Sequence, residues 1–152
     1  MGVTFQIFSI TPDRLDEFQS DAAAAAAFTM EHYLRDVTGD DFEAVWLDKT
    51  GLGILEAFGM VDGSAEPPAK WCLGADVLSL GEEMVCPFLT PEQTTALAAW
   101  IATVSDDDFR ARAGSNIMDT DVEYLAGGFA ALRAFYERAA AAERAVLVYA
   151  SP

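Results

Sequence analysis

The chain has 152 residues, of which 52% are hydrophobic, and a chain of this size buries about 68 to 70% of its unfolded surface without a disulfide or a metal. We therefore expect one domain, residues 1–152, around one core. The formal net charge is −16, and the first 108 residues carry all of the excess, with 4 Lys or Arg against 20 Asp or Glu. This charge disfavours nucleic acid and anionic membrane surfaces as ligands and allows a cationic partner.

The first part of the chain predicts a strand followed by a helix. Residues Val3 to Ile10 are rich in apolar side chains and predict a strand that is covered on both faces. Thr11-Pro12-Asp13 supplies a helix cap, a proline at the first helical position and an acid in the first turn. The helix is expected to continue, with a break near Ser20-Asp21, to Arg35. Without a basic leader segment at its start, the chain is expected in the cytoplasm.

The middle of the chain gives weaker signals. Phe42 to Leu47 is predicted as a strand, Thr50 to Phe58 as a short helix and Gly59 to Lys70 as an exposed loop. The segment from Trp71 to Phe88 fits either short strands or irregular structure.

The last third gives the strongest signals. Thr90-Pro91-Glu92-Gln93 has the pattern of a capping box and predicts a helix from Pro91 to Val104. A shorter helix to about Ala113, a long helix from Asp121 to Ala142 and a strand from Ala145 to Ala150 follow. Gly127-Gly128 interrupts the long helix and predicts a kink or a close approach of another element. Together these elements predict an α+β fold, a single domain whose small sheet includes the N- and C-terminal strands and packs against several helices.

Several of these segments resemble the YfbM-like family of small bacterial proteins of unknown function. The matching segments are Met1-Gly2, Leu47-Asp48-Lys49, Gly81-Glu82-Glu83, Phe88 to Glu92, Tyr124-Leu125, Leu132, Phe135-Tyr136, Ala139-Ala140 and Val146 to Tyr149. The resemblance implies a single α+β domain and brings no chemistry with it. Where the family pattern has a tryptophan, a histidine and an arginine, this chain has Gly51, Leu55 and Pro87. A pocket built on that histidine or arginine would therefore not work in the same way here.

The sequence singles out no catalytic group, no metal site and no cofactor site. His32 is the only histidine and is expected to be a helix residue. Cys72 and Cys86 lie 14 residues apart and are predicted to be inert, buried thiols. Gly51-Leu52-Gly53 lacks the third glycine of a dinucleotide-binding turn. The acids Asp119, Asp121 and Glu123 fit the start of a helix better than a cation site.

Two hypotheses on function follow. The first is a non-enzymatic, acidic protein-binding module, such as an immunity or inhibitor protein that docks a basic toxin or enzyme. Its candidate partner-binding residues are the acids and tryptophans of the charged part of the chain: Asp40, Asp41, Glu43, Trp46, Asp48 and Trp71. An acidic surface that serves solubility alone explains the same charge. The second hypothesis is a small-molecule-binding protein or hydrolase that uses His32 or an acid pair in a pocket.

Overall fold

A computed structural model describes residues 3–60, 62–79, 85–116 and 121–151. The strands within them are β1 (Thr4–Ile10), β2 (Val37–Thr38), β3 (Phe42–Asp48), β4 (Asp76–Ser79), β5 (Val85–Leu89) and β6 (Ala145–Ser151). The helices are α1 (Pro12–Ser20), α2 (Ala22–Glu31), α3 (Thr50–Ala57), α4 (Pro91–Ala102), α5 (Asp106–Asn116) and α6 (Val122–Ala141). A 3₁₀ turn spans Ala69–Trp71.

The described strands form one antiparallel sheet in the order β2-β3-β1-β6-β5-β4. The two terminal strands pair along their length in its centre, from Thr4 with Ser151 to Ile10 with Ala145. This confirms the predicted α+β fold with both terminal strands in the sheet. Six of the seven residues of β1 are buried, as expected for a strand that is covered on both faces.

The core has two parts, because helices cover both faces of the sheet. Helices α1 and α2 pack on one face, against side chains such as Phe8 and Leu147. Helices α3, α4 and α6 pack on the other, against side chains such as Phe5, Ile7 and Val148, and α5 packs on α3 and α6. The expectation of one core was therefore wrong: alternate residues of the central strands point to opposite faces, and each face needs its own cover.

Most predicted boundaries agree with the structure to within a few residues. Thr90 and Gln93 make both hydrogen bonds of the predicted capping box. The ambiguous segment contains β4 and β5, which pair from Asp76 with Phe88 to Ser79 with Val85. The largest error is at α2, which ends at Glu31 and not at Arg35. Leu34 has a left-handed backbone (φ 57°) that a continuing helix excludes.

Glycines allow α3 to lie close to its neighbours. A Cβ atom at Gly51 would collide with the Phe5 ring, and one at Gly53 would collide with Leu125. On α6, a Cβ atom at Gly128 would lie 2.5 Å from Cβ of Thr50. The predicted close approach at the glycine pair is thus confirmed for Gly128. It brings the start of α3 against α6, beside the end of β3.

Candidate functional site

The outer edge of β3 is only partly covered by its neighbour. Strand β2 pairs with Glu43 and Ala44, and no other described strand lies beyond the last residues of β3. At that point the backbone N–H of Trp46 donates a hydrogen bond of 2.9 Å to Oδ1 of Asp36. A side chain therefore takes the place of a neighbouring strand, and Trp46 and Asp48 lie at an accessible edge of the sheet.

The end of β3 is irregular, and the irregularity separates its side chains. Trp46 lies opposite Gln6 of β1, whereas Asp48 lies opposite Phe5, with a register shift between the two pairs. Asp48 also has a left-handed backbone, with φ at 49°. The β3 end thus presents Trp46 on the face of α1 and α2 and Asp48 on the face of α6. Such bulges commonly redirect side chains at the edges of sheets.

A groove of about 470 Å³ lies between this edge and α6. We call it the edge groove. Its residues come from the end of β3, the start of α3 and the first half of α6: Trp46, Leu47, Asp48, Thr50, Glu123, Tyr124, Gly127, Gly128 and Ala131. Trp46 is 40% and Tyr124 46% exposed. The groove is therefore mainly apolar, with Tyr124 and two carboxylates along it and Trp46, which faces α1 and α2, at its border.

The two carboxylates of the edge groove differ in whether an arginine of this chain neutralises their negative charge. Glu123 receives two hydrogen bonds from Arg110, from Nε at 2.9 Å and from Nη2 at 3.3 Å. Asp48 accepts a bond of 2.8 Å from the Tyr124 hydroxyl. That hydrogen bond raises the pKa of Tyr124, and partial burial of the phenol adds to the effect. Among the described residues no cation pairs with Asp48, so it brings an uncompensated negative charge to the groove.

The other predicted acids near β3 are held by arginines of this chain or lie in the loop before it. Glu43 is buried and binds Arg138 of α6 through Nε and Nη2, and this ion pair raises the pKa of Arg138. Asp41 is exposed and pairs with Arg14 of α1 at 2.8 Å. Asp40 is exposed, and its backbone carbonyl accepts a bond from Arg144. Glu43 therefore serves the packing of α6 on the sheet and is not available to a partner.

Trp71 is separated from the other candidates. It belongs to the 3₁₀ turn, is half-buried against the core and accepts a backbone hydrogen bond from Gly74, just before β4. Strands β3 and β4 lie near opposite ends of the sheet. Trp71 is only partly buried, but its indole packs against the core. Of the six predicted residues, Trp46 and Asp48 both border the edge groove, although their side chains leave β3 on different faces of the sheet.

His32 and the two cysteines lie in packed surroundings. The His32 ring lies 4.9 Å from the Phe28 ring and 4.6 Å from the Phe42 ring, between centroids. Both cysteines are free and buried, which raises the pKa of Cys72 to about 12 and that of Cys86 to about 11. Thiols with such pKa values carry almost no thiolate at neutral pH. The prediction that both thiols are buried is therefore confirmed.

Two carboxylates outside the groove, Asp121 and Asp62, make local hydrogen bonds. Asp121 caps α6 by accepting from the Glu123 N–H at 2.9 Å, and Asp119 lies outside the described residues. Hydrogen bonds from Ser64 lower the pKa of Asp62. A general acid near neutral pH needs the opposite shift. Within the described ranges no three His, Cys, Asp or Glu residues are grouped as metal ligands would be, and no helix is long and apolar enough to cross a bilayer.

Sequence reasoning did not select Tyr124. Its bond to Asp48 joins residues 76 positions apart, and it is next to the buried residue Leu125 on α6. The available signal was a polar aromatic residue just outside the apolar stripe of a helix. Such a position is exposed at the margin of the packed face.

The chain matches the model of a family described as a domain of unknown function, DUF1877, over residues 1–149. Its structure is similar to the crystal structure of YfbM, a protein of unknown function from Escherichia coli, with a TM-score of 0.64. That likeness covers 97% of this chain and 99% of the other at 10% sequence identity, so it shows a shared fold. No curated protein matches the sequence. The resemblance to YfbM-like proteins is thereby confirmed.

Proposed function

Because this chain belongs to the DUF1877 family, a domain of unknown function, its role has to be argued from its own surface, and we propose that it is a non-enzymatic module that binds a basic protein. The binding surface is the outer edge of β3 with the edge groove beside it. A protein of this kind acts as an immunity protein or inhibitor by covering a basic toxin or enzyme. Such a partner would be attracted by charge and held by aromatic contacts.

The proposal rests on one observation, the distribution of charge. Four arginines of the chain form ion pairs with its own carboxylates, and these pairs are Arg14–Asp41, Arg110–Glu123, Arg133–Asp106 and Arg138–Glu43. Four of the nine positive charges are thus tied up in internal contacts, while a net charge of −16 remains. A field of one sign speeds the encounter with an oppositely charged protein and repels other acidic proteins.

The β3 edge adds exposed aromatic residues to the negative charge. Trp46 and Tyr124 are both exposed, and tryptophan and tyrosine are among the residues that most often dominate binding energy at interfaces. Asp36 and Asp48 lie next to these aromatic residues, at the edge where β2 no longer covers β3. Acids that surround exposed aromatic residues are better explained by binding to a basic protein. Acids that serve solubility alone need no aromatic residues beside them.

Affinity capture from cells of the source organism tests the proposal. Immobilised wild-type protein should retain a basic protein in dilute buffer and release it as salt rises towards about 1 M, where the Debye length falls to about 3 Å. Trp46→Ala combined with Asp48→Asn should lose the partner. The control is Val77→Ala combined with Asp76→Asn, which also shortens an exposed apolar side chain and neutralises an exposed acid, on β4 at the opposite edge of the sheet. Retention of an acidic partner, or equal retention at about 1 M salt, contradicts the proposal.

A further inference from the structure

We propose that the edge groove is a guanidinium site, in which an arginine side chain of the basic partner binds the Asp48 carboxylate beside Tyr124. The source of the arginine rests on the proposed function, whereas the site itself is argued from the groove. Three properties of the groove carry the inference: a free acceptor, an aromatic side chain and an open floor.

The acceptor is the Asp48 carboxylate. One of its oxygens, Oδ2, accepts the Tyr124 hydroxyl. A carboxylate offers about four lone-pair positions on two oxygens, so a second donor can bind without breaking this bond. Glu123 differs, because both of its oxygens already accept hydrogen bonds from Arg110. We expect Asp48 to bind an incoming guanidinium in the same way. The groove therefore contains one carboxylate that is satisfied by an arginine of the chain and one that is not.

The floor of the groove accommodates the stem of a long side chain. Apart from its own helix backbone, a Cβ atom built at Gly127 would meet no atom within 4 Å, so α6 leaves open space where other residues would project. Ala131, one turn further on, is exposed and also lines the groove. A volume of about 470 Å³ suits a side chain better than a helix. The methylene groups of an arginine would pack on this floor while its charged end reaches Asp48.

The aromatic residue favours arginine over lysine. Tyr124 lies at the groove with nearly half of its side chain exposed, and its hydroxyl is fixed by Asp48. A planar guanidinium stacks on an aromatic ring and donates to a carboxylate through two N–H groups at once. A lysine ammonium is compact and strongly hydrated and gains less from either contact. The groove thus predicts an order of affinity, in which arginine is first, lysine second and a neutral analogue last.

Small probes test this order directly. N-acetyl-arginine amide, N-acetyl-lysine amide and N-acetyl-citrulline amide can each be titrated into ¹⁵N-labelled protein and followed by NMR. Citrulline has almost the same shape as arginine but carries no charge. The arginine probe should shift the amide signals of Asp48, Tyr124 and Gly127, and citrulline should bind about tenfold more weakly, as expected when a charge-assisted hydrogen bond is lost. Equal binding of arginine and citrulline would overturn the proposal, as would shifts that map elsewhere.

A pair of glycine variants separates the groove from general effects on the fold. Gly127→Leu fills the floor, and leucine is a better helix former than glycine, so the variant should remain folded. Gly114→Leu is the matched control, because Gly114 lies on α5, outside the groove, and a Cβ atom there also meets nothing within 4 Å. The arginine probe should lose about tenfold or more in affinity for Gly127→Leu and for Asp48→Asn. Its affinity for Gly114→Leu should equal that for wild type, and a loss there would overturn the proposal.

The same variants distinguish failure of the site from failure of the proposed function. If a basic protein is captured equally by wild type and Gly127→Leu, and the arginine probe does not bind, the guanidinium site is wrong and the proposed function stands. If the arginine probe binds in the groove but no basic protein is captured, the site stands and the proposed function is wrong.

Discussion

Gly127 and Gly128 are neighbours on α6, yet replacement of each by alanine should change stability in opposite directions. At Gly127 the new methyl group meets nothing within 4 Å. The gain in helix propensity, about 0.8 to 1.0 kcal/mol, should therefore appear as added stability. At Gly128 the methyl carbon would lie 2.5 Å from both Cβ and Oγ1 of Thr50. Thr50 is buried, and its hydroxyl donates to the Leu47 carbonyl, so it cannot move aside freely.

Overpacking of this kind costs about 1 to 3 kcal/mol. After the propensity gain is subtracted, Gly128→Ala should lower the free energy of unfolding by up to about 2 kcal/mol. Urea unfolding followed by circular dichroism measures both variants, and the midpoint should rise for Gly127→Ala and fall for Gly128→Ala with little change in m-value. A Gly128→Ala protein as stable as wild type would refute the close contact between α3 and α6.

Three further predictions concern the core and the helix caps. The folded state holds the protons of Cys72 (pKa about 12) and Cys86 (pKa about 11) after the unfolded chain releases them near pH 9. The free energy of unfolding should therefore fall as pH rises above about 9, by up to about 1.4 kcal/mol per pH unit for each thiol, and Cys72→Ala should flatten this slope in urea titrations. Arg138→Met leaves Glu43 buried without its partner and should cost about 1 to 3 kcal/mol in urea unfolding. Adding Glu43→Gln should restore most of that loss. Thr90→Ala removes the cap of α4 and should cost about 1 kcal/mol, seen as a lower melting temperature.

The sequence predicts those parts of the fold that depend on near neighbours. Thr11-Pro12 and Thr90-Pro91 mark helix starts because the cap, the proline and the first turn lie within four residues of one another. β4 could not be predicted with the same clarity, because its four residues become a strand by pairing with β5. The division of the core also depends on tertiary structure. Which helix covers which face of the sheet is decided by the path of the chain between elements.

The candidate site could be predicted only in part, because some of its contacts join residues that are far apart in the sequence. Exposed aromatic and acidic residues within one strand drew attention to Trp46 and Asp48, and the structure places both at an accessible edge. The roles of Glu43 and Tyr124 depend on partners 95 and 76 residues away, Arg138 and Asp48. No pattern within a strand or helix indicates that one acid is neutralised and another is not. Counting charged residues shows which part of the sequence carries the excess negative charge. The geometry of the ion pairs decides which carboxylates are left without an arginine partner.

Salt should act in opposite directions on folding and on partner binding. A net charge of −16 repels itself in the compact state, so screening should raise the melting temperature between about 0.01 M and 0.1 M salt, as the Debye length falls from about 30 to about 10 Å. The same screening weakens attraction to a basic partner. Release of the partner over a range in which the protein becomes more stable would show that binding, and not the fold, is lost. If the melting temperature fell with salt over that range, elution would no longer report on charge, and the argument from steering would fail.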